Sequence, residues 1–234
     1  MKKLIALLTF TLFITGLAAQ DAKDSLWNFN GVSSLNFSQM SLSNWAAGGE
    51  NSLAANALVN LNAIYNSADE NVSWATELTM GYGLVQQGED PFRKSDDKID
   101  FASKFGYKAA GNWDYSGLLS FKTQFTKGYQ ETDGGRVMIS DFFSPGYILM
   151  AIGMEYKPND NFYFSVSPLG GKITLVMNDS LSTVGSFGVE AGKTSRSEFG
   201  GTVKVGINKE IMTNVTLTSS LDLFSNYFEN PQNI

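Results

Sequence analysis

The chain has 234 residues, of which 43% are hydrophobic, 13% aromatic and only 17% charged, and it contains neither Cys nor His. That excludes a thiolate nucleophile, a Cys/His zinc site, haem or iron–sulfur ligation through those residues and a Ser-His-Asp relay; a metal would need carboxylates alone, and no cofactor, metal or catalytic residue is assigned. The net charge of −6, from 17 Lys+Arg against 23 Asp+Glu, argues against nucleic acid as a partner, because binding a polyanion rests on neutralising its phosphates.

Met1-Lys2-Lys3 gives a basic start, residues 4–17 are almost wholly apolar or Thr, and Ala18-Ala19 precede Gln20-Asp21. This is the tripartite pattern of a secretory signal peptide, predicted to span residues 1–19 with cleavage near Ala19. The apolar stretch is shorter than the roughly 20 residues that span a bilayer as a helix. Residues 20–234 are then one exported domain.

That domain alternates with period two. Val72, Trp74, Thr76, Leu78, Met80, Tyr82 and Leu84 share one parity, with Ser73, Ala75, Glu77, Thr79, Gly81 and Gly83 on the other, which is a strand with one apolar face. The same alternation predicts strands over 27–38, 53–65, 99–107, 113–125, 148–156, 203–207 and 215–223. Residues 162–177 change phase, since Phe162, Phe164 and Val166 share one parity and Ile173, Leu175 and Met177 the other. A bulge or bend at 168–171 is expected to reset it.

About nine strands result, and their connections are predicted to alternate: 39–51, 87–95, 127–145 and 178–197 long, 68–71, 109–112, 158–161 and 208–214 short. An antiparallel meander then gathers tight turns at one end and long loops at the other, as transmembrane barrels do at their periplasmic and extracellular sides. At the tight-turn end the apolar parity carries Trp27 and Phe29, Tyr65, Trp74, Tyr107, Trp113 and Tyr115, Tyr156, and Phe162. This resembles an interfacial girdle, interrupted at Ile207 and Val215. The predicted fold is all-β, an antiparallel up-and-down transmembrane β-barrel. A soluble barrel or sandwich would show the same alternation, but the polar parity is rich in Ala, Ser, Thr, Asn and Gly, as suits a crowded lumen.

Charges on the polar parity include Glu77, Asp100, Lys104, Lys122, Glu155, Lys172, Lys204 and Asp222. Counting from the turns sets Glu77 nearly opposite Lys104 and Asp100 nearly opposite Lys122. They read either as a ring that tunes passage of a solute or as cross-strand pairs that fill a narrow lumen. Trp45, Gly48, Gly49 and Glu50 stand in the most unusual loop, as a candidate surface for a ligand or partner. The pairs Gly134-Gly135 and Gly200-Gly201 are expected at a loop tip and at the start of a strand.

Asn36-Phe37-Ser38-Gln39, the loop Ser43-Asn44-Trp45-Ala46-Ala47-Gly48-Gly49-Glu50-Asn51 and the closing Asn226-Tyr227-Phe228-Glu229-Asn230-Pro231-Gln232-Asn233-Ile234 resemble a family of Bacteroidetes envelope proteins, domain-of-unknown-function family 3078. The resemblance implies an outer-membrane barrel of a diderm bacterium and carries over no catalytic residue. The expected function is therefore non-catalytic: a structural, passive-transport (porin-like) or partner-binding barrel. Its expected partners are outer-membrane lipid, the barrel-insertion machinery and a small solute or envelope protein. The alternatives are a soluble periplasmic binding barrel and, less favoured, an envelope enzyme hydrolysing lipid or glycan. Bacterial barrels have even strand numbers, so an odd count predicts that a returning strand is missing from the C-terminal side. Relatives of the family are expected to continue past Pro231.

Overall fold

The computed structural model describes residues 26–43, 49–132, 134–229 and 231–232. Nine of its strands form one antiparallel sheet: β1 (Trp27–Met40), β2 (Ser52–Asn66), β3 (Val72–Gln87), β4 (Arg93–Ala110), β5 (Trp113–Thr123), β8 (Gly146–Asn159), β9 (Phe162–Leu175), β10 (Ser195–Met212) and β11 (Val215–Asn226), in that spatial order. Between β5 and β8 a separate hairpin, β6 (Gly128–Thr132) and β7 (Gly135–Ser140), stands outside the sheet. Every strand read from the alternation is present, because a period of two puts all apolar side chains of a strand on one face. The predicted leader, 1–19, lies outside the described residues.

Sheet neighbours keep the faces in phase. Asn30, Asn62, Glu77, Ala102 and Ser120 form one row across β1 to β5, while Trp27, Tyr65, Trp74 and Phe105 form a row on the other face. Trp27 lies with its ring centroid 5.1 Å from Tyr65 and 6.1 Å from Trp74, and Trp74 meets Phe105 edge-on at 6.4 Å. The sheet curls with its polar face inward, so that Asn62 of β2 and Glu77 of β3 line the same cavity as Tyr163 of β9 and Lys204 of β10.

The phase change falls where the sequence places it. Opposite β8 the register slips between Ile152↔Leu169 and Met154↔Val166, and opposite β10 between Gly200↔Gly170 and Thr202↔Ser167. An extra residue on β9 thus bulges between two neighbours that keep step. Gly153 faces that bulge, and a Cβ there would run into the backbone of Val166 and Ser167. Gly200 and Gly170 meet at the same level, where a Cβ on Gly170 would sit 2.9 Å from the Gly200 carbonyl oxygen.

Two expectations are corrected. The connection 88–92 is no longer than the turn 67–71, because β3 and β4 continue past the alternating segments to Gln87 and Arg93; long and short connections do not strictly alternate. Gly200-Gly201 lies inside β10, which runs from Ser195 to Met212 rather than over 203–207. The sheet is open among the described residues, as the odd strand count leads one to expect: β1 and β11 are its two edges and do not pair with each other.

The small apolar core lies away from the sheet. In the connections 124–145 and 176–194, Val176, Leu181 and Val189 are buried together, with Met138 and Phe187 packed on them. Leu181 sits in a single-turn helix, α1 (Asp179–Thr183), whose N-cap Asn178 accepts from Ser180 N and Leu181 N through its side chain. The same amide donates to the Asp141 carboxylate at 2.8 Å, tying the two connections together. Met177 N donates to Phe143 O at 3.1 Å and Asn178 N to Ser144 Oγ at 2.8 Å. At the outer edge of this package Lys193 donates to Glu190 at 2.6 Å, which holds the Glu190 carboxyl below the usual carboxylate range.

Candidate functional site: the charged concave wall

The burial of the sheet is inverted relative to an ordinary domain. Its large apolar side chains are on the convex face and exposed: Leu35 is 80%, Phe29 73% and Ile152 65% accessible. Buried side chains on the concave face are mostly polar, with Glu155 7% and Thr202 5% accessible, beside Ser165 and Ser167 and the small apolar Ala151. Buried polar groups are tolerated only when hydrogen-bonded, and among the described residues no buried side-chain nitrogen or oxygen lacks a partner.

Strand register places the charges of this wall. Asp100 on β4 is directly opposite Lys122 on β5, and their side chains pair at 2.9 Å. Glu77 and Lys104 do not pair. Glu77 is opposite Ala102 and Lys104 opposite Ala75, and Lys104 instead reaches across β5 to donate to both carboxylate oxygens of Glu155 at 2.8 Å. Counting along adjacent strands could not find that partner, because a four-carbon stem spans more than one strand spacing. The Lys104 ammonium also lies 5.9 Å from the centre of the Tyr163 ring on β9.

Glu77 is left with neutral donors. Asn60 Nδ2 donates to it at 2.8 Å, Asn62 Nδ2 donates to Asn60 Oδ1 in turn, and among the described residues Glu77 makes no ion pair. Lys204 on β10 pairs with Asp222 on β11 at 3.0 Å. Nearer the long loops, Lys172 and Arg196 both approach Glu198, at 3.7 and 3.1 Å, and Arg196 also reaches Glu229 at 2.7 Å. The wall is thus largely a set of ion pairs, and at its centre Glu77 has no cationic partner among the described residues.

Of the loop candidates, Trp45 and Gly48 lie outside the described residues. Gly49 has φ of +122°, a region that favours glycine. Glu50 leans on the turn 88–92: a Cβ on Gly88 would stand 3.1 Å from its carboxylate. Around them Leu42 N donates to Asn51 Oδ1 at 2.7 Å and Gly88 N to Asn51 O at 2.7 Å. Among the described residues no hydrogen bond or ion pair joins Glu50 to Glu77, Asp100, Lys104 or Lys122.

Sequence reading overlooked Asp97. Its carboxylate accepts from Lys94 Nζ at 2.7 Å, from Phe125 N at 2.7 Å and from Thr126 N at 3.0 Å, anchoring the base of the 124–145 connection on β4. It stands between the predicted connection 87–95 and the predicted strand 99–107, outside any alternation that could mark it. Tyr163 was legible, standing on the parity opposite Phe162 and Phe164.

No curated protein matches the chain. Residues 37–129, from the end of β1 to the second residue of β6, match the model of the family described as "Protein of unknown function (DUF3078)", in agreement with the resemblance read from the sequence.

Proposed function

We propose that this protein is an exported outer-membrane barrel protein of a diderm bacterium that carries out no catalysis and serves passive solute passage or partner contact. One observation carries the reading: the sheet exposes its large apolar side chains on the convex face and buries polar ones on the concave face. Exposing that much contiguous apolar surface to water is unfavourable, whereas hydrocarbon accepts it and leaves the backbone satisfied by the strand ladder. The aromatic row at the tight-turn end supports the same orientation, since amphipathic rings settle at the headgroup level. A basic, apolar leader at residues 1–19 would deliver the chain to the envelope.

In this reading β1 and β11 need hydrogen-bonding partners, because unpaired edges in hydrocarbon cost several kcal/mol per group. With seven strands between them the two edges run in the same direction. The tight turns 67–71, 111–112, 160–161 and 213–214 face the periplasm, and the 124–145 and 176–194 package faces outward.

Cell fractionation tests the proposal. The protein should sediment with outer membranes, need detergent for release and change gel mobility on heating. Recovery in the soluble periplasmic fraction without detergent would reject it. Orientation is read from single cysteines on intact cells: Glu50→Cys should react with an impermeant maleimide and Asp160→Cys should not, and the reverse would invert the topology.

A further inference from the structure

Two cavities lie against the concave wall. One, of about 400 Å³, reaches down to Tyr163 beside the tight turn 160–161 and is walled by Asn62, Lys104 and Glu155 among others. The second, of about 230 Å³, lies toward the long loops and is walled by Asp100, Ser120 and Lys122. They have four wall residues in common: Glu77, Ala102, Leu118 and Lys204. Those four therefore frame the neck between the cavities. Its floor, Ala102 and Leu118 on β4 and β5, is uncharged. Glu77 enters from β3, and Lys204 from β10 is the only wall residue of the second cavity that is not on β3, β4 or β5.

The charge state of this neck differs from the rest of the wall. Lys104 and Lys122 are each neutralised by a carboxylate of the same wall. Glu77 has only the amide of Asn60 and a long contact from Thr79 Oγ1 at 3.4 Å. Lys204 is likewise paired, with Asp222, but that carboxylate lines neither cavity, so the pair presents its cationic end to the neck, and among the described residues no ion pair joins Lys204 to Glu77. Opposite charges held apart across a gap with apolar flooring set up a field transverse to the passage, because low-dielectric walls focus field lines into the aqueous space.

We propose that the neck between Glu77 and Lys204 selects small zwitterionic solutes of amino-acid size, which pass with the ammonium group toward Glu77 and the carboxylate toward Lys204. A simple ion is drawn by one wall and repelled by the other, and an uncharged polyol of equal size gains nothing from either. A dipolar solute gains from both. The inference rests on the outer-membrane reading and adds the class of solute to it.

The test is solute flux into phospholipid vesicles carrying the protein, with insertion checked by heat-modified mobility. Serine should enter faster than erythritol, by roughly tenfold. The double variant Glu77→Gln/Lys204→Gln should lose that preference, with serine and erythritol entering at like rates. Single variants give a second measurement: Glu77→Gln should shift the reversal potential in a KCl gradient toward anions, and Lys204→Gln toward cations. Inserted protein that passes serine and erythritol alike, passes neither, or keeps its preference in the double variant overturns the neck as the selecting element and leaves the membrane reading standing. Failure of the protein to insert overturns the membrane reading, and the inference falls with it.

Discussion

The loop package and the sheet obey opposite rules of burial. In the package, Val176, Leu181 and Val189 are hidden and the polar groups around them are tied by caps and backbone bonds. In the sheet, Leu35, Phe29 and Ile152 stand outside and Glu155, Ser165 and Thr202 inside. One chain therefore contains both an ordinary miniature core and its inversion. The hydrophobic effect sorts side chains against whatever medium each face meets, so in the proposed outer-membrane reading the contrast marks a change of medium, from water around the package to hydrocarbon around the sheet.

The largest effect that separates the two regions is expected in the package. Leu181→Ala removes a side chain that is 5% accessible from a core of very few residues, and such truncations cost roughly 2 to 5 kcal/mol. Limited proteolysis should accelerate within 176–194 while the heat-modified mobility of the sheet stays as it was. Loss of both together would mean that the package and the sheet form one cooperative unit.

In the sheet the expectation reverses. Leu78 lies on the convex face between Leu61 and Phe101, and Thr79 on the concave face between Asn60 and Asp100. Leu78→Arg should cost roughly 2 to 4 kcal/mol near the bilayer midplane, and Thr79→Arg much less. Refolding titrations into lipid vesicles measure both. Equal tolerance at the two positions would remove the convex face from hydrocarbon and with it the contrast drawn above.

At the seam between the faces sits the β9 bulge. Gly153→Ala places a methyl group against the backbone of Val166 and Ser167, and overpacking of this kind costs roughly 1 to 3 kcal/mol. A denaturant titration should show the loss. Gly117→Ala, at a glycine with nothing near its missing Cβ, serves as the control and should show far less.

Much of this contrast was legible in the sequence, and the reasons differ by region. Alternation gave the nine strands and their two faces, and the phase change between Val166 and Ile173 located the bulge. Side-chain size told the faces apart, because Asn, Ser and Gly crowd a concave wall where long solvated side chains would not fit. The pairing of Lys104 with Glu155 was beyond reach, since it depends on curvature and on a flexible stem rather than on strand spacing. The package was hidden for another reason. One turn of helix and a five-residue hairpin strand are too short to show a period, so 127–145 and 178–197 read only as long loops. The end of β3 at Gln87 was missed because Gln86-Gln87 break the apolar alternation while the backbone continues to pair with β2 as far as Ser52.

The smallest expected effect concerns a tight turn at the opposite end of the sheet from the package. In 67–71 the Asp69 carboxylate accepts from Ser67 Oγ, from Asn71 Nδ2 at 2.8 Å and from Asn71 N at 3.2 Å. These bonds, that of Ser67 first, lower its pKa from 3.8 to about 2. A carboxyl whose folded pKa lies below its unfolded value adds stability in full above the unfolded pKa, and that contribution fades as pH falls toward the folded one. The turn should therefore hold its geometry at neutral pH and loosen between about pH 4 and pH 2. The group is fully exposed, so the change should stay local and leave the strands paired. NMR titration of the Asp69 carboxyl carbon should return the lowered midpoint, and amide exchange at Asn71 and Val72 should rise over the same interval. In Ser67→Ala the midpoint should move back toward 3.8, since the leading donor is gone. An unmoved midpoint in that variant would assign the shift to Asn71 instead, and exchange spreading along β2 and β3 would show that the turn governs the pairing of the sheet, against the division into independent regions.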